Sequence, residues 1–557
     1  MKTGGNWIDL DGVQVPVAPG QTLIELLRGR GEVDATAVDP VAMASINGRR
    51  TDLYEPLMHE DEVRLYRLRE RRTAPTIQRT VTFILNAACE QLFPGSELRV
   101  EFSYGRGVYC RMFGLDEALS GSAIEAIEQR MRDLVAADLP ITPQIYGVRT
   151  LIRKARAQGR PAETNVAQYL RRDALKLYRL QGTEHLFYGR QLPSTGFVRA
   201  FRLVPEPPGF LMQVGPAGAP EKLLDTVSHP KLLSTMQRYA DWLVEQGLQD
   251  IGHLNRYIVQ GRVQDLVQLC EARHARVFVE AANQVGDLPA DGRLVLVAGP
   301  SSSGKTTFAK RLTVQLRVLG FQPFALSLDD YFVDREKTPR GPDGDYDYES
   351  LDAIKLDLFN EHLLALLAGE PVHLPSYSFQ TGTSQRRADP TVIGRGQPLI
   401  VEGIHALNPR LSAAVPRRHK LLAYVSALSH MNIDNTSYIR TSRTRLFRRI
   451  VRDAQFRGYP ASETLARWPK VRAGEERHIF PFQNEADIFF NSGLAYELAV
   501  LKLWAEPRLS AVGIDDPNYG TARSLIDLLA TLLPIDASVV PHTSLLREFI
   551  GGSGFEY

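Results

Sequence analysis

The sequence predicts a multidomain chain: a small α+β roll, a second α+β unit, a helical connector, and an α/β unit on a parallel sheet. Three observations predict this order. At 557 residues the chain exceeds what one hydrophobic core organises. Short alternating runs crowd residues 1–69, whereas 220–285 carry the apolar spacing of helices. A continuous β-prone run, Arg293–Ala298, feeds directly into a glycine-rich loop and then an amphipathic helix.

The composition narrows the function classes. Hydrophobic residues make up 44% and charged residues 23%, as in soluble globular chains. With 66 basic against 64 acidic side chains the net charge is +2, which argues against binding nucleic acid through bulk charge. The three cysteines, Cys89, Cys110 and Cys270, match neither a zinc spacing nor a disulfide framework, and a reducing cytoplasm fits them. The amino terminus lacks a secretion pattern, and no stretch approaches the roughly 20 apolar residues that span a bilayer, so no membrane partner is expected.

Within residues 1–69, Trp7–Leu10 and Val13–Val17 flank Asp11-Gly12 as a hairpin, Thr22–Leu27 is helical, and Ala44–Gly48 and Glu62–Leu68 are further strands. This order resembles the TGS domain, a ubiquitin-like module of threonyl-tRNA synthetases and some GTPases. Arg69–Arg72 and Pro75 mark a linker, and Ile77–Phe93 is helical. From Thr80 to Gly215, within a unit set at 70–215, the elements resemble the second additional domain of threonyl- and alanyl-tRNA synthetases. Gln91–Pro94 and Pro193–Phe197 carry that resemblance. The family's HxxxH and CxxxH positions fall on Arg79, Phe83, Phe187 and Gln191, so the resemblance implies an editing scaffold without metal ligands, used for docking, for substrate contact or as a spacer. The connector, 216–287, has helices at Leu232–Leu248 and Val263–Val285 with breaks at Gly252 and Gly261. His253 and His274 are expected on its surface or at caps.

The chemistry is concentrated in 288–510. Gly299, Pro300, Ser301, Ser302, Ser303, Gly304, Lys305 and Thr306 fit G-x-x-x-x-G-K-[ST], with Thr307 following. Glycines let backbone N–H groups curl around phosphates, Lys305 bridges the outer phosphates, and Thr306 offers its hydroxyl to Mg2+. Phe308, Leu312, Leu316 and Leu319 continue at helical spacing, so the loop opens a helix whose amino end favours anions. These features predict an ATP-dependent enzyme. The next strand, Pro323–Leu328, delivers Asp329 and Asp330 to the same sheet edge, and a third, Pro398–Val401, delivers Glu402.

Ser327-Leu328-Asp329-Asp330-Tyr331-Phe332 resembles the S-x-D-[SD]-[FY]-[FY] segment of the uridine-kinase and phosphoribulokinase family. The resemblance covers Leu294 to about Asn491 and implies a nucleoside kinase. It makes Asp329 the general base and a Mg2+ contact, with Asp330 as the alternative base, and Glu402 a Mg2+ ligand through water. Thr306, Asp329 and Glu402 then form the metal set. Asp347, in Asp345–Tyr348, binds the acceptor's ribose diol. Tyr377 and Phe379 flank its base, with Phe332 beside them. Gly382 stands where uridine and cytidine kinases carry a base-reading histidine. Arg449, Arg452 and Arg457 correspond to a lid that neutralises the transferring phosphoryl group, the first two on one helix face. Tyr459 and Arg467 replace another arginine and a glutamine of the family. Asp487 is placed near the adenine, through its backbone. A different small alcohol or sugar-phosphate acceptor, or an RNA-linked NTPase with a basic surface from Arg69–Arg72, remain the alternatives, and RNA contact and self-association are left open. The C-terminal extension, 511–557, has a helix at Leu525–Leu533 and docks against the preceding unit.

Overall fold

A computed structural model describes residues 6–115, 117–160, 164–225, 228–341, 344–428 and 431–556. Residues at both ends of the first and last expected units, 1–5 and 557, lie outside the described residues.

The first unit is a five-stranded sheet with one helix. Strands β1 (Trp7–Leu10), β2 (Val13–Pro16), β3 (Val41–Ile46), β4 (Arg49–Thr51) and β5 (Glu62–Arg67) lie in the order β2-β1-β5-β3-β4, with β1 parallel to β5. Helix α1 (Leu23–Gly29) begins in a capping box, where Thr22 N–H donates to the Glu25 carboxylate at 2.9 Å. It buries Leu23, Ile24 and Leu27 with Ile8, Val41 and Val63.

The expected linker at Arg69–Arg72 is instead a short turn, Arg71–Thr73, that runs straight into α2 (Ala74–Leu92). Pro75 begins that helix, because its missing N–H is one the first turn leaves unpaired anyway. The second unit continues through β6 (Glu97–Tyr104), β7 (Gly107–Phe113), α3 (Gly121–Ala136), β8 (Thr142–Gly147), α4 (Val148–Ala157), β9 (Ala174–Leu180), β10 (Thr183–Leu186), β11 (Phe201–Glu206) and β12 (Gly209–Val214). Its antiparallel sheets run β11-β12-β7-β6 and β10-β9-β8. Helix α2 is buried along almost its whole length, with Phe83, Ile84 and Leu85 sharing a core with Ile127, Met131 and Phe210.

The connector holds α5 (Pro230–Glu245), α6 (Ile251–Val259) and α7 (Val263–Gly286). Gly252 is not the break that was expected. Asp250 caps α6 by accepting from His253 N–H at 2.9 Å, and Gly252 is the helix's second residue, where a Cβ would come within 2.5 Å of the Asn165 backbone. His274 is buried rather than on the surface, its ring centred 4.8 Å from that of Phe490, and burial holds its pKa well below the usual histidine range.

The C-terminal unit contains β13 (Leu294–Ala298), α8 (Lys305–Val318), β14 (Phe324–Ser327), α9 (Leu356–Ala368), the ribbon β15 (Pro375–Ser378) and β16 (Thr383–Arg386), β17 (Leu399–Glu402), β18 (Lys420–Ser426), α10 (Thr441–Phe456), α11 (Ala461–His478), β19 (Ile488–Asn491) and α12 (Glu497–Ser510). Its sheet is wholly parallel in the order β14-β17-β13-β18-β19. Both faces are covered, and alternate residues explain the continuous apolar run. Val295 and Val297 join one core with α7 and α8, while Leu294, Leu296 and Ala298 join another with α5 and α9. The second core also takes in Phe102 and Tyr109 of the second unit, so the units are packed into one another. Helix α13 (Tyr519–Leu529) follows, packed beside the first unit where Tyr519 touches Gly48, and the short α14 (Arg547–Ile550) completes the described elements.

Candidate active site

The parallel register brings the three carboxyl ends together. Glu402 is level with Val297 of β13 and Ser327 of β14, so β17 lies between the loop strand and the Asp329 strand. The loop can pass close to β18 only without a side chain at Gly299, where a Cβ would sit 1.9 Å from Val425 O. Gly304 is left-handed (φ 92°), which sets α8 at the angle that opens the loop's N–H groups.

Thr306 Oγ1 lies 3.4 Å from Glu402 Oε1, and Ser327 Oγ lies 3.3 Å from the same oxygen. Burial, together with the negative charges of Asp329 and Glu548, pushes the Glu402 carboxyl up to about 7 against the pull of Lys305. Asp329 is raised by desolvation between the cleft walls and by the charge of Asp330, opposed by Lys305, Arg457 and Arg452. Asp330 turns away to pair with Arg387 at 3.2 Å. The geometry therefore separates the two aspartates. Thr306, Asp329 and Glu402 supply hard oxygens with a mutual repulsion that a divalent cation would relieve. Among the described residues no group of three or more His, Cys, Asp and Glu forms a metal cage.

Arg449 and Arg452 sit on α10, where their i, i+3 spacing gives them one face as expected, and Arg457 follows at the helix's carboxyl end. Arg449 donates to Ser301 Oγ at 2.8 Å. Asp453, buried, gathers all three: Arg449 at 3.2 Å, Arg452 at 2.8 Å and Arg457 at 3.8 Å. Two arginines that sequence reasoning passed over hold the loop itself. Arg445 is paired twice with Glu475, at 2.5 and 2.8 Å, and donates to Ser301 O at 3.1 Å. Arg448, fully buried, pairs with Glu497 at 2.5 Å and donates to Ser302 O and Ser303 O. Their signal was present in the run Arg445–Arg452, but their partners lie 30 and 49 residues away.

Asp487 does not belong to this cleft. It pairs with Leu422, in mid-sheet, and its carboxylate accepts from Leu422 N–H at 3.0 Å and is bound to Arg417. The sheet edge at the loop is level with Phe490 and Asn491 instead, roughly 10 Å further along β19. Thr307 is also already engaged, since its hydroxyl and N–H both donate to Glu548 of α14, at 2.5 and 3.3 Å, and Leu545 packs on Gly304. A phosphate reaching Thr307 must compete with that carboxylate.

On the far side of Asp329, Phe332, Tyr377 and Phe379 come together with centroids 5.0–5.7 Å apart. Tyr377 and Phe379 meet edge to face, at 81°, rather than as two parallel plates. Gly382 is left-handed (φ 74°), and the space beside it is filled by Arg335, whose guanidinium would lie 2.8 Å from a Cβ there and which donates to Phe379 O at 2.7 Å. Asp347 faces Arg477 and His478 of α11, each at 3.7 Å.

Glu349 was also missed. It packs against Gly474 of α11, one carboxyl oxygen is buried without a hydrogen bond, and burial with the charges of Glu475 and Asp329 pushes its carboxyl from 4.5 up to about 7, against Arg449 and Lys305. A folded-state pKa above the unfolded one means that ionisation works against the fold, negligibly below about pH 4.5 and fully above about pH 7. Glu349→Gln is therefore expected to stabilise the protein by roughly 2–3 kcal/mol at pH 8 and by almost nothing at pH 4, as read from urea unfolding at the two values.

Residues 294–499 match the model of the Phosphoribulokinase / Uridine kinase family. The C-terminal unit is a uridine-kinase-like P-loop kinase domain. A uridine kinase of Halobacterium salinarum is 27% identical over 215 residues, 38% of this chain and 86% of the relative. The N-terminal region is similar to threonine–tRNA ligases; that of Maricaulis maris is 26% identical over 196 residues, 35% of this chain and 30% of the ligase. A solved structure described as a possible uridine kinase from Bacillus stearothermophilus is 20% identical and covers 39% of this chain and 98% of its own, with a TM-score of 0.26. No described helix of the kinase-like unit or of the others is long and apolar enough to cross a membrane.

Proposed function

We propose that the chain is a cytoplasmic nucleoside kinase that transfers the γ-phosphoryl group of Mg-ATP to the ribose 5′-hydroxyl of a nucleoside. The observation that carries this reading is the meeting of Thr306, Glu402 and Asp329 at one sheet edge, with Lys305 and the Asp453-held arginines on one side and the aromatic cluster on the other.

In this reading the loop from Gly299 to Thr306 binds the phosphate chain, and Lys305 draws on its outer oxygens. Thr306 and Asp329, with Glu402 through water, would hold Mg2+, which when bound would supply charge neutralisation at the transferring phosphoryl group. Asp329 accepts the acceptor hydroxyl's proton late in a loose transition state, which needs no strongly basic group. Arg449, Arg452 and Arg457 meet the charge that develops on the phosphoryl oxygens, and Asp453 keeps their guanidiniums aligned until then. Asp347 binds the ribose diol, and Phe332, Tyr377 and Phe379 form the wall against the base.

The test is incubation of the purified protein with γ-labelled ATP and a panel of nucleosides, sugar phosphates and small alcohols. Label in a nucleoside monophosphate supports the reading, and label only in a sugar bisphosphate replaces it. One feature favours that second outcome: Arg335 fills the space beside Gly382, and a guanidinium there suits an anionic acceptor. Arg335→Ala is accordingly expected to raise the acceptor KM by roughly tenfold and leave the KM for ATP unchanged.

The N-terminal units are proposed as a TGS-like roll and a synthetase-like scaffold whose editing positions have been refilled. The positions of the former ligands are adjacent, with Phe83 and Phe187 rings 5.0 Å apart and Gln191 accepting from Thr80 at 2.9 Å, a dry pairing that suits docking better than hydrolysis.

A further inference from the structure

Five arginines meet where the N-terminal units join the lid helix. Arg50 stands on β4, Arg79 on α2, Arg190 after β10, and Arg440 and Arg443 at the start of α10. They are linked through one another's backbones: Arg79 Nη1 donates to Arg190 O at 2.7 Å, and Arg190 Nε donates to Arg50 O at 3.1 Å. Arg440 donates to Gln78, the neighbour of Arg79, and Gln78 donates to the Tyr438 hydroxyl at 2.8 Å. Gly189 makes room for the Arg79 guanidinium, which would lie 2.2 Å from a Cβ at that position.

Among the described residues none of these five forms an ion pair. The acid nearby, Asp52, is engaged by Lys176 at 3.1 Å and by the Tyr178 hydroxyl at 2.8 Å. All five side chains are partly buried, so water screens them incompletely. Burial and neighbouring guanidiniums push Arg79 down to about 9 and Arg443 to about 10, the latter through Arg440 and Arg50. A guanidinium keeps its proton in this range, so the push expresses first the cost of burying the charge and then the repulsion of its neighbours, which Tyr178 and Tyr438 offset only in part. Charges arranged against the stability of the fold are expected where a ligand compensates them.

We propose that this junction is a second ligand site, taking a phosphate-chain anion (pyrophosphate, or the polyphosphate of a nucleotide) between Arg50, Arg79, Arg190, Arg440 and Arg443. Five clustered cations call for several negative charges in a small volume, and planar guanidiniums match phosphate oxygens two at a time. The positive end of α10 adds to the attraction. The site is separate from the P-loop but shares α10 with the arginines that hold that loop, because Arg445 and Arg448 follow Arg443 within two turns.

The experiment uses full-length protein carrying Lys305→Ala, which disables the P-loop, in equilibrium dialysis against labelled pyrophosphate with ATP or an RNA oligomer as competitor. The expected result is one saturable site, weakened by salt, and weakened roughly tenfold or more by Arg443→Gln but not by Arg276→Gln, which lies exposed on α7. Without anion, Arg443→Gln is expected to melt higher than its parent, since it removes repulsion, and to gain less from pyrophosphate. Displacement by ATP assigns a nucleotide source, and pyrophosphate binding that ATP does not displace assigns a free phosphate chain. No saturable binding of either at roughly millimolar concentration overturns the proposal. So does equal binding by Arg443→Gln, a lower melting point with unchanged anion stabilisation, or binding of RNA alone.

Discussion

Asp329→Asn is expected to lower kcat by roughly 10²–10⁴-fold while leaving ATP affinity within a few-fold. Asparagine keeps the shape and one acceptor oxygen but cannot take a proton from the acceptor hydroxyl. The two adjacent carboxylates make the experiment discriminating. Asp330 is paired with Arg387, whereas Asp329 faces Lys305, Arg452 and Arg457, so Asp330→Asn should retain most of the activity. Steady-state rates with the best acceptor, together with direct measurement of nucleotide binding, separate transfer from grip. A full rate for Asp329→Asn with a collapse for Asp330→Asn would reverse the assignment.

Arg448→Met is expected to cost about 3–5 kcal/mol of stability. Arg448 and Glu497 are both fully buried, so removing the cation strands a carboxylate in the core. Arg448→Met combined with Glu497→Leu should recover much of that loss, because two apolar side chains carry no desolvation penalty. ATP affinity should not recover with it. Arg448 also donates to Ser302 O and Ser303 O, and without those bonds the loop's carbonyls are free to turn inward, where phosphate oxygens would meet them. Denaturant unfolding and nucleotide titration on the same three proteins give both numbers. Restored stability with restored affinity would show that the arginine serves the core alone.

What could be seen in the sequence was what local chemistry determines. The strand into Gly299, the loop and α8 are adjacent in sequence and constrained residue by residue, and Thr306, Asp329 and Glu402 did converge. Errors arose where distant residues decide. Asp487 looked like a cleft residue, but the register of β19 against β18 sets it back in mid-sheet. His274 looked like a surface residue because its helix is only half apolar, yet Phe490 and the sheet close over it. Arg445 and Arg448 were hidden among arginines that do face the cleft, and only Glu475 and Glu497 distinguish them. Tyr377 and Phe379 do lie together, but their edge-to-face angle and the packing of Phe332 on both, 45 residues before Tyr377, are not written in the segment itself.

The contacts of Leu545 and Glu548 with Gly304 and Thr307 have a consequence in time as well as in space. Those partners are separated by 241 residues of chain, and a polypeptide leaves the ribosome from its amino end. The loop at Gly299–Thr306 is therefore synthesised long before the segment that covers it. Until residues 544–550 emerge, Gly304 is bare and the first turn of α8 has its donors open to whatever anion is at hand. A nascent chain of this protein would meet nucleotide through a site with one wall still to come.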